Sequence, residues 1–227
     1  LPAAGRRGHG DAACDAIEQD VHPVPLADRQ GPVTELELVG FIQAVERLAA
    51  SNNGAVQSPP VPDVLAHARA LDDFCASVDI QMAVHVVPRN GGDIPGTKLR
   101  GVMEANGFAL QGDGLFHLCN ERGCTQLTVA NFGTPFVAEE LRTMATPGVT
   151  FWLDVPRVAE GGVVYERMLA TAKQLAEAVD GQLVDDQRQP LADSMLTGIR
   201  SKIAEVQKKM AVSQLPSGGR RALRLFR

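Results

Sequence analysis

TPGVTFWLDVP, residues 146–156, sets a Pro-Gly turn directly against an alternating run that carries the chain's single tryptophan. Successive side chains of an extended strand point to opposite faces. Val149, Phe151, Leu153 and Val155 therefore share one face, and Thr150, Trp152 and Asp154 the other. The first set belongs against a core. Trp152 then stands on the polar side, either covered by another part of the chain or left for something that is not part of it.

Short strands alternate with helices around this segment. Residues 80–87 read as a strand ended by PRNGG, and 95–104 as a helix closed by Asn106 and Gly107. Residues 115–119 and 126–130 form a hairpin about NERG, whose polar residues and glycine suit a turn. A brief helix is expected at 136–144, a long amphipathic helix at 163–179, a short strand at 182–184 and a last helix at 193–209. Antiparallel strands with helices gathered on one face predict an α+β fold rather than a doubly wound sheet.

Composition bounds what such a fold can do. The 227 residues, 44% of them hydrophobic, suffice for a real core and for one or two domains. A net charge of −5 argues against a general nucleic-acid binder. Cys14, Cys75, Cys119 and Cys124 are too few and too scattered for a disulfide scaffold, so a reducing compartment is expected. No window holds about 18 uninterrupted apolar residues, and this stretch is expected to be soluble. It begins at Leu1; any membrane anchor is expected upstream.

Four parts follow. Residues 1–33 hold GRRGHG, several prolines and no sustained periodicity, and read as a linker or frayed end. Residues 34–77 read as two helices, the first stopped by Asn52, Asn53 and Gly54, the second starting after SPPVP with Asp63 as N-cap. The main domain is 78–210, and 211–227 reads as a basic flexible tail. The helix ending at Asn53-Gly54 and the helix after it repeat the order of the later helix ending at Asp180-Gly181 and its successor. Residues 34–77 are accordingly expected to be half of a degenerate tandem copy.

The ordered set RNGGDIPGTKL (89–99), ANGF (105–108), LFH (115–117), TVANF (128–132), TPGVTFWLDVP (146–156) and ERMLATAKQLAEAVDGQLVDDQR (166–188) resembles the C-terminal domain of the ZipA family, covering about residues 79–209. That resemblance implies a split β-α-β fold, with an antiparallel sheet of about six strands and helices behind it. It implies a non-catalytic cell-division adaptor whose open sheet face takes the C-terminal tail peptide of FtsZ in a shallow apolar groove. The adaptor would help tether and stabilise the division ring at the cytoplasmic face of the inner membrane. Carried over by position, the groove falls on Gln81, Ala83, Leu110, Asp113, Phe132 and Trp152. Gln81 and Asp113 are polar where the family carries aliphatic side chains or Met.

Chemical sites are few. His117, Cys119 and Cys124 form an H-x-C-x4-C cluster that lacks a fourth ligand nearby, and the NERG turn already explains their closeness, so no metal is expected. Cys119 and Cys124 could oxidise across the hairpin. Asp185 and Asp186 read as surface carboxylates or as caps of the last helix, and His67 as surface. GGDIPG lacks the order of a phosphate cradle. Nothing pairs a nucleophile with a base, so neither catalysis nor a cofactor is expected. Two other readings stand: an RNA-binding split β-α-β domain using Phe132, Trp152 and the basic tail, or an interaction module with a different peptide partner.

Overall fold

The computed structural model describes residues 25–227. Ten strands are described: β1 Ala27–Asp28, β2 Gly31–Pro32, β3 Gln81–Pro88, β4 Ile94–Pro95, β5 Ala109–Leu110, β6 Phe116–Cys119, β7 Thr125–Asn131, β8 Ala145–Thr146, β9 Val149–Asp154 and β10 Gly181–Val184. The described helices are α1 Glu35–Ser51, α2 Val61–Ala76, α3 Gly96–Ala105, α4 Gly161–Ala178, α5 Asp193–Val212 and α6 Arg220–Leu225. Six strands make one antiparallel sheet in the order β10-β3-β9-β7-β6-β5. The α+β expectation holds.

Strand β9 lies between β3 and β7, and its alternation decides what the sheet faces. Val149, Phe151 and Leu153 are fully buried with Val84, Val86, Leu127 and Val129 of its neighbours. Helix α4 packs on this side against β3, β9 and β10, supplying Tyr165, Met168, Ala172 and Leu175. Helices α3 and α5 pack in turn on α4. Among the described residues no helix packs on the opposite sheet face.

The expected helix at 136–144 is instead a series of turns, anchored by buried Phe136 and Leu141. Isolated bonds such as Met144 N–H to the Glu140 carbonyl (2.8 Å) close single turns without propagating.

Two parts read as loose are packed. Residues 1–24 of the expected linker lie outside the described residues, but β1 and β2 form a hairpin turned at Gly31, whose φ of +123° suits glycine alone. Arg29 in that turn reaches Asp79 (2.6 Å), Asp154 (2.8 Å) and the Phe226 carbonyl (2.9 Å). The expected flexible tail is likewise corrected. Helix α5 runs on to Val212, and α6 docks with Ala222 and Phe226 fully buried. Residues 222, 225 and 226 supply an apolar side between the arginines, and burying it outweighs the tail's chain entropy.

Helices α1 and α2 form from the expected segment. Thr34 and Glu37 make a capping box on α1, and their hydrogen bonds hold the Glu37 carboxyl below its usual range. Asp63 does not cap α2; Pro60 occupies that position, and Asp63 lies in the first turn. Helix α2 packs on the β1–β2 hairpin, with Ala68 and Cys75 buried. Asn53 and Asp180, at the two turns compared above, both have positive φ, 55° and 49°. Ala55 and Val56 nevertheless form no strand.

Phe226→Ala should lower stability by about 3–5 kcal/mol, read as a shift in the urea midpoint; a shift under about 0.5 kcal/mol would return the segment to a loose tail. A second expectation concerns alkaline pH. Burial raises the Cys75 thiol to about 11 from 9.0 and the Tyr165 phenol to about 12 from 10.0. Both folded values lie above the unfolded ones, so their contribution is complete below pH 9 and drains away as pH climbs through 11 and 12. Thermal midpoints measured from pH 8 upward should fall, and Cys75→Ala should flatten the first part of that fall.

Candidate functional site

The sheet face on which no described helix packs is a trough of about 680 Å³, and its side chains come in register across the strands. One row runs Ala83, Trp152, Thr128 and His117 over β3, β9, β7 and β6. A second runs His85, Thr150 and Ala130. Gln81 and Asp154 pair in a third. Trp152 lies at the centre and is 39% exposed, against 0% for Phe151 and Leu153 on either side of it. Such a gradient along three residues is what alternation alone produces.

Phe132 closes one end. Its ring stands edge-on to His85 at 5.5 Å, lies under the Arg188 guanidinium at 5.9 Å, and rests on Gly148. A Cβ on Gly148 would come within 2.6 Å of that ring, so glycine there makes the ring's seat. The Thr146 hydroxyl bonds the Asn131 side chain and fixes the two turns beside each other.

Residues 185–190 wall the β10 side. Asp185 accepts from the backbone N–H of Gln187 and Gln189, closing the loop. Asp186 reaches back to His85 Nε2 at 2.8 Å. Neither aspartate caps α5, whose N-cap is Ala192.

Two imidazoles are built in alike. His85 Nδ1 meets Thr150 Oγ1 at 2.9 Å while its Nε2 faces Asp186; His117 Nδ1 meets Thr125 Oγ1 at 3.2 Å while its Nε2 faces Asp113 at 2.9 Å. With the carboxylates ionised, each Nε2–H donates to its aspartate and each Nδ1 accepts the threonine proton. Carboxylate, imidazole and hydroxyl stand in the order of a nucleophile and its base. Yet Thr150 is 6% exposed and His117 7%, so these side chains satisfy one another within the lining of the trough.

The far end holds Asp154. Burial raises its carboxyl above the usual range, opposed by hydrogen bonding and charge from Arg29. On Arg29 itself burial pulls downward, and its bonds to Asp79 and Asp154 more than reverse this, so the guanidinium is held firmly charged.

Four of the six positions carried over by resemblance lie on this face: Gln81, Ala83, Phe132 and Trp152. Leu110 does not. It pairs with Phe116, whose side chain is buried in the core, and packs against that core. Asp113 is occupied by His117 and by the Leu115 N–H. The trough is also more polar than the apolar groove expected, since threonine, glutamine and histidine surround the indole. Thr150 lines it too, on the face that alternation gave it beside Trp152, and so do His85 and Arg157, which were not anticipated; only pairing register places His85 beside Thr150.

Cys119 is a free thiol, so the Cys119–Cys124 pairing across the hairpin does not form. Among the described residues no group of three or more His, Cys, Asp or Glu could hold a metal, and no helix is long and apolar enough to cross a membrane.

Comparison with known proteins adds two findings. The family described as ZipA, C-terminal FtsZ-binding domain matches residues 81–202. The Cell division protein ZipA of Marinobacter nauticus is 28% identical over 134 residues, 56% of this chain and 39% of the relative. The chain thus spans about two fifths of that relative's length.

Gly148→Ala should displace the Phe132 ring and cost roughly 1–3 kcal/mol by overpacking. The ring-proton shifts of His85, edge-on to Phe132, report the displacement; unchanged shifts would mean that the ring has another support.

Proposed function

The chain belongs to the ZipA C-terminal FtsZ-binding domain family, and from that membership we propose that its trough takes up the C-terminal tail peptide of FtsZ, a cell-division adaptor's contact made without catalysis. The observation that carries this reading is Trp152, partly exposed at the centre of a sheet face that no described helix covers. Trp152 and Phe132 are the apolar anchors, with Ala83 and Ala130 leaving room beside the indole. Gln81 and the flanking threonines supply hydrogen bonds to the backbone of the bound segment. Leu110 and Asp113 act behind the site, through β5 and through His117.

The size of the effect follows from area. Trp152 is 39% exposed, so roughly 100 Å² remains to be covered, about 2.5 kcal/mol at 25 cal/mol per Å². Phe132 adds less, and ordering a tail subtracts from both, so a single contact is micromolar. A filament presenting many tails to many adaptors held at the inner membrane by an upstream anchor multiplies such contacts through effective concentration.

The test is titration of isotopically labelled protein with the FtsZ C-terminal peptide. Shifts should cluster on open-face residues of β3, β7 and β9, and Trp152→Ala should weaken binding at least tenfold. The same variant should cost at most about 2 kcal/mol of stability, below the 3–5 of a sealed ring. No shifts at millimolar peptide would reject the reading.

A further inference from the structure

The polar end of the trough is set from outside the segment that matches the family. Arg29 lies in the turn of the β1–β2 hairpin, upstream of the matched residues 81–202. A guanidinium has five N–H donors, and the fold uses all of them. Nε and Nη2 donate to Asp79 at 3.0 and 2.6 Å, Nη1 and Nη2 to Asp154 at 2.8 and 2.9 Å, and Nη1 also to the Phe226 carbonyl at 2.9 Å. Each carboxylate is therefore held at two points, which fixes its plane as well as its position.

Asp154 lines the trough, and Gln81 stands opposite it in the register of β3 and β9. The Gln81 Nε2–H donates to Asp154 Oδ2 at 3.4 Å. An ionised carboxylate can only accept, so Asp154 sorts the two ends of the glutamine amide. The NH2 group turns toward it and the carbonyl Oε1 turns away. A bond this long orients its donor only while the acceptor keeps its place. Arg29 provides that fixity. Asp79 and Asp154 repel each other across the guanidinium that both bind, and without it Asp154 is free to turn toward the open trough, where water solvates its charge.

We infer that Arg29 is a positioning residue for the peptide site: by fixing Asp154 it fixes Gln81 Oε1 as a hydrogen-bond acceptor where β3 begins, and so selects a bound segment that brings a backbone N–H to that point. The inference rests on the reading of the trough as a peptide site. What the clasp withholds matters as much as what it presents. A loose Asp154 would offer a bare carboxylate, which attracts cationic side chains and repels acidic ones. With Arg29 in place, that end of the trough offers a neutral acceptor instead.

The test has two arms. In the free protein, nitrogen relaxation of the Gln81 side-chain amide should give an order parameter above about 0.6 in the native chain and below it in Arg29→Met. A Gln81 amide as mobile in the native chain as in Arg29→Met overturns the inference, whatever the peptide does. In the second arm the FtsZ C-terminal peptide is titrated into the native chain, Arg29→Met, Gln81→Met and the two changes combined. Arg29→Met should weaken binding about threefold to tenfold when Gln81 is present and less than about twofold in the Gln81→Met background. Equal weakening in both backgrounds would make Arg29 a structural residue only and overturns the inference. Should Arg29→Met not fold, Arg29→Lys takes its place in both arms, since an ammonium keeps the charge but cannot hold two carboxylates at two points each. A native chain that binds no peptide would overturn the peptide-site reading and the selection step with it, while the first arm still decides whether Arg29 orients Gln81.

Discussion

The central constraint is that the described helices all pack on one side of the six-stranded sheet and none covers the other. A strand in the middle of such a sheet cannot choose its environment residue by residue. Once Val149, Phe151 and Leu153 are committed to the core, Thr150, Trp152 and Asp154 are committed to the open side. Slipping β9 by one place would invert both sets. The exposed indole is therefore not tolerated at random; it is held out by the burial of its neighbours.

An uncovered sheet face needs polar side chains that do not invite aggregation, and this one uses threonine, glutamine and histidine around its aromatic centre. The two imidazoles saturate their nitrogens on aspartate and threonine, so little of the hydrogen-bonding capacity of the trough's lining is left to chance. What the face offers a partner is one broad ring, a second at its end, and a rim of hydroxyls and amides. That combination discriminates by shape and by backbone bonding more than by charge.

Much of this was legible from residues. The alternation of 149–155 gave β9 its faces, NERG gave the hairpin, and helix periods gave α1 to α5 within a few positions. Leu110 was misplaced because a two-residue strand has no period of its own; only its pairing with Phe116 reveals which way it points. The terminal segment was misjudged because its arginines dominated the reading, although Ala222, Leu225 and Phe226 already recur at helical spacing. Arg29 carried no local signal at all. Its partners lie 50 and 125 residues away, and only assembly of the hairpin against the end of β9 brings them within reach.

That guanidinium has a mechanical consequence. It joins the hairpin at the start of the described chain to Asp79 before β3, to Asp154 at the end of β9, and to the Phe226 carbonyl after α6. Tension arriving through the backbone ahead of Leu26 would be divided at this clasp among three elements in parallel, so no single strand would be peeled from the sheet alone. The central strand feels such a pull at Asp154, two residues from the indole, and drag on one end of the molecule is thereby felt where another chain would rest.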